Sequence, residues 1–130
     1  MREVLFRGKV KLPNSYRGYN LSYRNGDWVY GLMNSNESIR GIFVDTNTIG
    51  QYTGLTDKNG NKIFEGDILQ VNYHGNEIGR VYIYYKFAMY LCDTIYGDVD
   101  FDTLGMLNAN YQLFVIGNIN DNPELLDKEN

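Results

Sequence analysis

Three aspartates, Asp98, Asp100 and Asp102, alternate with apolar residues and form the best candidate for metal or acid-base chemistry in the chain. In a β-strand, side chains two positions apart share one face, so all three carboxylates would lie together. They would repel one another, raise one another's pKa and attract a hard cation such as Mg²⁺ or Ca²⁺. The competing interpretation is an exposed edge strand that its charges keep unpaired. We favour the edge strand and assign no metal ligand.

A second set of oxygen donors is typical of a calcium loop at first sight. An EF-hand loop, however, needs glycine at its sixth position and a bidentate carboxylate at its twelfth, where this chain has Lys62 and Ile68. The neighbouring glycines also lack the Gly-Lys-Ser/Thr ending of a phosphate-binding loop. We therefore predict a plain hairpin here, and its oxygen donors are Asp57, Asn59, Asn61 and Glu65.

His74 and Cys92 are the only histidine and the only cysteine. A nucleophilic pair between them would lack an evident third group to orient the base. One histidine and one cysteine are also too few soft ligands for zinc. We predict an exposed turn histidine and a buried structural cysteine, with no catalytic residue, no cofactor-binding residue and no cofactor. The chain is thus not expected to be an enzyme.

Charge is distributed unevenly along the chain. The net charge is −4, yet residues 1–40 carry seven basic and three acidic groups, and residues 87–127 carry seven acids and no Lys or Arg. Opposed charges of this kind can steer one subunit onto another, or present the basic end to phosphates. Solvated faces of a globular domain are the plainer explanation.

Aromatic residues are interleaved with the basic ones in the N-terminal third. Tyrosines between arginines can stack on unpaired bases, although tyrosines more often build core edges and interfaces, and a tryptophan is usually an anchor. We favour the interface. The candidate interaction surface comprises Arg7, Lys9, Lys11, Arg17, Tyr19, Tyr23, Arg24 and Trp28.

Composition bounds the class of protein. With 130 residues, 43% of them hydrophobic and 15% aromatic, one compact domain is expected. It could consist of an N-terminal β element at about 1–50 packed on a barrel at about 51–120. No apolar run is long enough for a membrane span or a signal peptide, and the lone cysteine suits the reducing cytoplasm.

The elements that must position these residues are short strands separated by turns. The Asn59-Gly60 pair predicts a type I′ hairpin, and Gly54, Gly60 and Gly66 are each expected at a chain reversal. A bulge at Gly8 is also expected. Strands are predicted from alternation near 4–12, 27–33, 39–44, 48–52, 67–73, 78–85, 88–92, 98–102 and 113–116, a loop at 16–25, a helical turn at 104–111, and a final turn that Asn122 caps and Pro123 opens.

The stretch at 51–69, Gln-Tyr-Thr-Gly-Leu-Thr-Asp-Lys-Asn-Gly-Asn-Lys-Ile-Phe-Glu-Gly-Asp-Ile-Leu, resembles the signature of the YopX family. Residues 6–9 and 25–31 resemble the family's N-terminal elements, and residues 115–119 with 122–126 resemble its closing motif. The family is encoded mainly by bacteriophages and prophages of Gram-positive bacteria. The resemblance implies a mainly β fold with an SH3-like barrel component, and no established activity. Together with the turn and strand patterns, we predict a mainly β antiparallel meander with an SH3-like barrel component and a short C-terminal helical turn.

We therefore expect a phage or prophage accessory protein that acts as a non-catalytic β-rich interaction module in the cytoplasm of the bacterial host. Homo-oligomerisation is expected, a host or phage protein partner is possible, and no membrane is involved. The alternative is a nucleic-acid-binding protein that uses the basic N-terminal third. A metal-dependent enzyme built on the 98–102 aspartates is a third hypothesis.

Overall fold

The computed structural model describes residues 3–13 and 22–127. The chain divides into two compact units, Met1–Tyr52 and Thr53–Asn130. Both are built mainly from antiparallel strands, which confirms the predicted mainly β class. Whether the two units act as one domain stays a prediction.

The first unit is built on the strands β1 (Phe6–Lys9) and β2 (Trp28–Gly31). They pair antiparallel in unbroken register, so the predicted bulge at Gly8 is wrong. The glycine instead eases a close approach, because a Cβ at Gly8 would lie 3.1 Å from the Cβ of Val44, which is a tight contact. Val44 belongs to the buried cluster of this unit, with Val10, Val29 and Ile39.

Short strands complete the first unit: β3 (Met33–Ser35), β4 (Ser38–Ile39), β5 (Ile42–Phe43) and the start of β6 (Gly50–Thr56). The single strand predicted at 39–44 is interrupted, since Arg40 and Gly41 both have positive φ, at 52° and 80°. Two successive positive φ values reverse the chain in two residues and pair β4 with β5. A 3₁₀ turn at Thr46–Thr48 then precedes β6.

The second unit contains the larger sheet, in the order β10-β9-β8-β11. The late part of β6 is hydrogen-bonded to β7 (Lys62–Phe64). The remaining elements are β8 (Asp67–Tyr73), β9 (Asn76–Lys86), β10 (Met89–Gly97), the helix α1 (Leu104–Asn110), β11 (Gln112–Asn118) and a 3₁₀ turn at Pro123–Leu126. Side chains buried in its core include Ile63, Leu69, Val71, Val81, Ile83, Leu104, Leu107 and Leu113.

The helix α1 confirms the helical turn predicted at 104–111. Thr103 caps it, because its Oγ1 accepts a hydrogen bond from the Met106 N–H at 3.4 Å. Leu104 and Leu107, three positions apart, are both buried, so one face of the helix contributes to the core. Within the described residues the strands form open sheets and no closed barrel, so the SH3-like component is not confirmed.

The central hairpin is confirmed, but its turn type is not the predicted one. Only Gly60 of the turn has positive φ, at 85°, whereas a type I′ turn needs two such residues. The Gly60 N–H donates to the Asp57 carbonyl, and the Asp57 N–H donates to the Asn61 carbonyl. Gly54 also differs from expectation, because it lies inside β6 at φ 90° and not at a reversal.

Two further predictions near the C-terminus are corrected. Residues 98–102 form no strand, since β10 ends at Gly97 and the segment leaves the sheet. Asn122 does not cap the last turn with its side chain. Its Oδ1 accepts instead from the Asn118 N–H at 3.2 Å and so closes the loop that follows β11. In the described part of the chain, no helix has the length and apolarity needed to cross a membrane.

Candidate interaction site

Asp57 is the hub of the signature hairpin. It is 6% exposed, and its Oδ1 accepts hydrogen bonds from the backbone N–H of Asn59 at 3.0 Å and of Asn61 at 2.8 Å. Its Oδ2 accepts from the Val115 N–H at 2.9 Å and the Asn61 side-chain amide at 3.2 Å. Burial alone would raise the pKa of Asp57, but these hydrogen bonds outweigh it and hold the pKa below its usual value.

The calcium-loop interpretation fails on this geometry. Both carboxylate oxygens of Asp57 already face N–H donors, which occupy the directions that a cation would need. Within the described residues, no group of three or more His, Cys, Asp or Glu side chains is placed to hold a metal ion. The Asp57 carboxylate therefore links the Asn59-Gly60 turn to β11.

Residues Glu65-Gly66-Asp67 of the signature also have a structural role. Asp67 is 1% exposed, and its Oδ2 accepts from the Phe64 N–H at 2.7 Å. Gly66 donates its N–H to the Ile83 carbonyl and accepts from the Ile119 N–H. The signature residues thus connect β7, β8, β9 and β11 of the second unit. These structural contacts account for the residue types of the signature.

Three residues of the predicted basic surface lie close together in the first unit. Arg7 is 6% exposed, and its guanidinium lies 4.8 Å from the centroid of the Trp28 ring. The Lys9 Nζ lies 5.6 Å from the same ring. Arg7, Lys9 and Trp28 therefore form one cation–π cluster, in which a buried guanidinium supports the sheet more than it offers charge to a phosphate.

The other predicted surface residues are distributed differently. Lys11 and Arg24 are exposed, and Tyr23 is half-buried against the core of the first unit. Tyr23 accepts a long hydrogen bond of 3.5 Å from Arg40. Arg17 and Tyr19 lie outside the described residues. Whether these eight residues form an interaction surface stays a prediction.

Cys92 and His74 occupy the environments predicted for them. His74 is exposed in the turn after β8, where it has φ 50°. Cys92 is buried, and its Sγ donates to the Phe101 carbonyl at 3.5 Å. Burial, with smaller contributions from Asp102 and Asp93, raises the pKa of the Cys92 thiol to about 12. A neutral, buried thiol is a poor nucleophile.

The aspartates at 98, 100 and 102 do not share a strand face. Phe101 has φ 70°, which breaks the alternation that the sequence pattern predicted. The Asp102 carbonyl accepts from the Cys92 N–H, so the segment folds back along β10. This local reversal, which alternation cannot reveal, overturns both the edge strand and the three-carboxylate metal face.

The tip of the β9–β10 hairpin is a feature that sequence reasoning missed. Phe87 and Ala88 form its two-residue turn with φ 56° and 61°, a conformation normally left to Asn and Gly. Around it, Tyr85 is 51% exposed, Phe87 76% and Met89 45%. Large apolar residues at a two-residue turn that contains neither Asn nor Gly were the signal that could have found it. We call Tyr85, Phe87 and Met89 the apolar tip.

The comparisons with known proteins agree with this framework. The family model described as YopX protein matches residues 5–127, nearly the whole chain. The chain belongs to the YopX family. No curated protein matches it.

A solved structure extends the likeness to the fold. The crystal structure of protein EF1440 from Enterococcus faecalis is similar to this YopX chain, with a TM-score of 0.53 and 24% sequence identity. The likeness covers 98% of this chain and 100% of the other. At that identity it bears on the fold alone.

Proposed function

We propose that this YopX protein is a non-catalytic β-rich interaction module that associates with copies of itself through the apolar tip. The observation that carries the proposal is the exposure of Tyr85, Phe87 and Met89 around a turn of two non-glycine residues with positive φ. Such a conformation costs roughly 1–2 kcal/mol for each L-residue. An aromatic residue at that position is a poor choice for the hairpin alone and a good choice for a contact.

The contacts inside the hairpin favour this role. The rings of Tyr85 and Tyr90 lie 5.0 Å apart, and the Lys86 Nζ lies 5.1 Å from the Phe87 ring. These contacts restrict the side chains before any partner arrives, which lowers the entropy lost on association. Aromatic and methionine side chains are the residues that most often anchor interfaces.

The non-catalytic part of the proposal is supported by the state of the reactive groups. The Cys92 thiol is buried with a raised pKa, the Asp57 and Asp67 carboxylates accept backbone hydrogen bonds, and His74 lies in an exposed turn. Each of these groups has a structural explanation. A hydrolase screen with general ester and phosphate substrates tests this part, and turnover above that of the Cys92→Ala variant would contradict it.

Sedimentation equilibrium over a wide concentration range tests self-association. The double variant Phe87→Asn, Ala88→Gly removes the most exposed side chain of the apolar tip, Phe87, and gives the turn the residues that a type I′ turn prefers, so the hairpin should fold at least as well. We expect the original chain to associate and the variant to weaken that association about tenfold or more.

Met106→Gln is the matched control. Met106 is 49% exposed on α1, so the substitution removes a comparable exposed apolar side chain from elsewhere in the second unit. It should leave association unchanged. A strictly monomeric original chain at high concentration, or equal weakening by both variants, would contradict the proposal.

Nucleic-acid binding is the second candidate function. Lys11, Arg24 and Arg40 are exposed cations of the first unit, and their placement favours a weak, salt-dependent contact with phosphates. A mobility shift with single-stranded and duplex DNA and RNA at low salt tests this candidate. Loss of binding in the triple variant to Gln would support it, and no shift at low salt would end it.

A phage or prophage origin and a place in the cytoplasm of the bacterial host belong to the same proposal. The family resemblance supports the origin, and the single cysteine, buried as a free thiol, suits a reducing compartment. Mass spectrometry of the fractions of lysogenic cells, with the host or phage proteins that co-purify, tests both.

A further inference from the structure

A cleft in the second unit lies where the chain leaves β10. Its volume is about 580 Å³, and its lining residues are Tyr73, Ile78, Asp98, Asp100, Phe101, Asn110 and Tyr111. The volume falls in the range of pockets that hold small ligands or single side chains. The lining combines aromatic rings with carboxylates, a composition that nothing in the family assignment explains.

The aromatic wall is held in place by its own contacts. The rings of Tyr73 and Tyr111 meet edge to face at 5.8 Å, and those of Phe101 and Tyr111 lie 6.1 Å apart. Tyr73 is 49% exposed and Phe101 is 41% exposed, so ring surface remains open to the cleft. The Tyr111 hydroxyl accepts from the Asp100 N–H at 3.4 Å and joins the wall to the acidic segment.

The acidic side of the cleft consists of Asp98 and Asp100. Both are exposed, and among the described residues neither carboxylate accepts a hydrogen bond or pairs with a cation. The surrounding sequence, residues 87–127, contains no Lys or Arg that could neutralise them. The negative charge at the cleft is therefore available to an incoming group.

The chemistry of the lining selects the kind of ligand. Aromatic faces attract organic cations, whereas Mg²⁺ and Ca²⁺ require a shell of oxygen ligands, and no such cluster occurs in the described residues. A guanidinium suits this lining best, because it is planar, stacks on rings and donates paired hydrogen bonds to carboxylates. An ammonium group would interact with the carboxylate charge, but it is not planar and cannot stack on the aromatic rings.

We infer that this cleft binds an arginine side chain presented by a basic segment of a protein partner. The guanidinium stacks against Tyr73 and Phe101 and donates hydrogen bonds to the carboxylates of Asp98 and Asp100. The inference goes beyond the proposed function, since it does not depend on the apolar tip or on self-association.

Titration of the full chain with N-acetylarginine amide, followed by NMR of the aromatic side chains, tests the inference. Its neutral isostere, N-acetylcitrulline amide, is the matched ligand, and N-acetyllysine amide, with its free ε-amine, tests for guanidinium over ammonium. We expect saturable shifts at Tyr73, Phe101 and Tyr111 with the arginine compound and at least about tenfold weaker binding of the other two.

The double variant Asp98→Asn, Asp100→Asn should weaken arginine binding about tenfold or more, while Met106→Gln should leave it unchanged. Thermal unfolding of each variant verifies that the fold is kept. Equal binding of citrulline and arginine, binding insensitive to the aspartate variant, or no saturable shift would overturn the inference. Equal binding of the lysine compound would overturn the assignment to arginine.

The same titration on the Phe87→Asn, Ala88→Gly variant separates this inference from the proposed function. Arginine binding should persist in that variant even when self-association is lost. The cleft does not include the apolar tip, so the tip variant should bind arginine as the original chain does. If the tip variant lost arginine binding, the binding site would not be this cleft, and the inference would be overturned.

Discussion

At the scale of single residues, Asp57 shows how one buried carboxylate can organise a hairpin. Burying a charge is costly unless hydrogen bonds compensate for it, and here N–H donors from the turn and from β11 surround both oxygens. The residue joins segments that are 58 positions apart in the chain. Its role is therefore tertiary, although it lies in a local motif.

The substitution Asp57→Asn should destabilise the protein by about 2–4 kcal/mol, because it removes charge-assisted hydrogen bonds and turns an amide N–H toward a backbone N–H. Urea unfolding measures this loss. Asp98→Asn, which changes an exposed carboxylate, is the control and should stay within about 0.5 kcal/mol of the original chain. Equal stability of both variants would contradict the assigned role.

The Asp57 hydrogen bonds should also make the stability of the protein depend on pH. The pKa of Asp57 is lowered in the folded state, so its contribution is present above the unfolded-state pKa of about 3.9 and is lost as pH falls through the folded-state pKa. Between about pH 5 and pH 3, unfolding free energy should therefore fall more steeply in the original chain than in Asp57→Asn. Parallel acid profiles of the two chains would refute this.

Cys92 provides a second residue-scale prediction. With its pKa raised to about 12 by burial, the thiol should react with Ellman's reagent at pH 8 roughly a thousandfold more slowly than an unperturbed cysteine. Denatured protein is the control and should react at once. Rapid labelling of the native protein would contradict this environment.

The raised pKa of Cys92 also affects stability at high pH. Its contribution to the unfolding free energy is fully present below the unfolded-state pKa of about 8.5 and declines as pH rises toward 12.

At the scale of elements, the β9–β10 hairpin depends on a close approach of two glycines. A Cβ on Gly79 would lie 2.6 Å from the Tyr96 carbonyl oxygen, and one on Gly97 would lie 2.1 Å from that of Ile78. Gly97 also has φ 96°, and the pairing register shifts between Thr94 and Tyr96. The glycines therefore permit the bend after which residues 98–102 fold back along β10.

The substitution Gly79→Ala should destabilise the protein by about 2–3 kcal/mol, because the added methyl meets backbone atoms that cannot move independently. Gly105→Ala is the matched control. Gly105 lies in α1 with nothing within 4 Å of its added Cβ, so alanine should stabilise the protein by about 0.5–1 kcal/mol. Thermal unfolding compares the two. A shift of the same sign in both variants would show that the close approach is not limiting.

At the scale of the whole molecule, charge separates along the chain. Residues 1–40 carry a surplus of four positive charges, seven basic against three acidic groups, and residues 87–127 carry seven acids. Charge of opposite sign on two copies favours their encounter, in addition to any apolar contact. The two contributions differ in their response to salt.

Self-association should therefore weaken a few-fold as salt is raised from about 0.1 M to about 1 M, because the Debye length falls from about 10 Å to about 3 Å. Association through the apolar tip should survive at the higher salt. Sedimentation equilibrium at both salts measures the change. Complete dissociation at the higher salt would show that association depends on charge alone. Equal association at both salts would show that charge does not contribute.

Much of the fold could be predicted because alternation and turn residues are local signals. The alternating pattern at 67–73 matches β8, and the loss of alternation at 104–111 matches α1. The signature at 51–69 indicated both the hairpin and the family. The Asn59-Gly60 pair alone did not reveal the turn type, since the Asp57 side chain accepts hydrogen bonds from the Asn59 and Asn61 N–H groups and only Gly60 has positive φ.

The sequence by itself determined the antiparallel β class and the family, because these depend on residue types and short-range periodicity. Only the tertiary structure decided that Arg7 is buried beside Trp28, and that the 98–102 segment has a positive φ at Phe101 and folds back along β10. The cleft below Tyr111 was decided there too. The physical reason is that alternation specifies which faces of a strand are apolar, whereas a positive φ or a distant hydrogen-bond partner specifies where a strand ends.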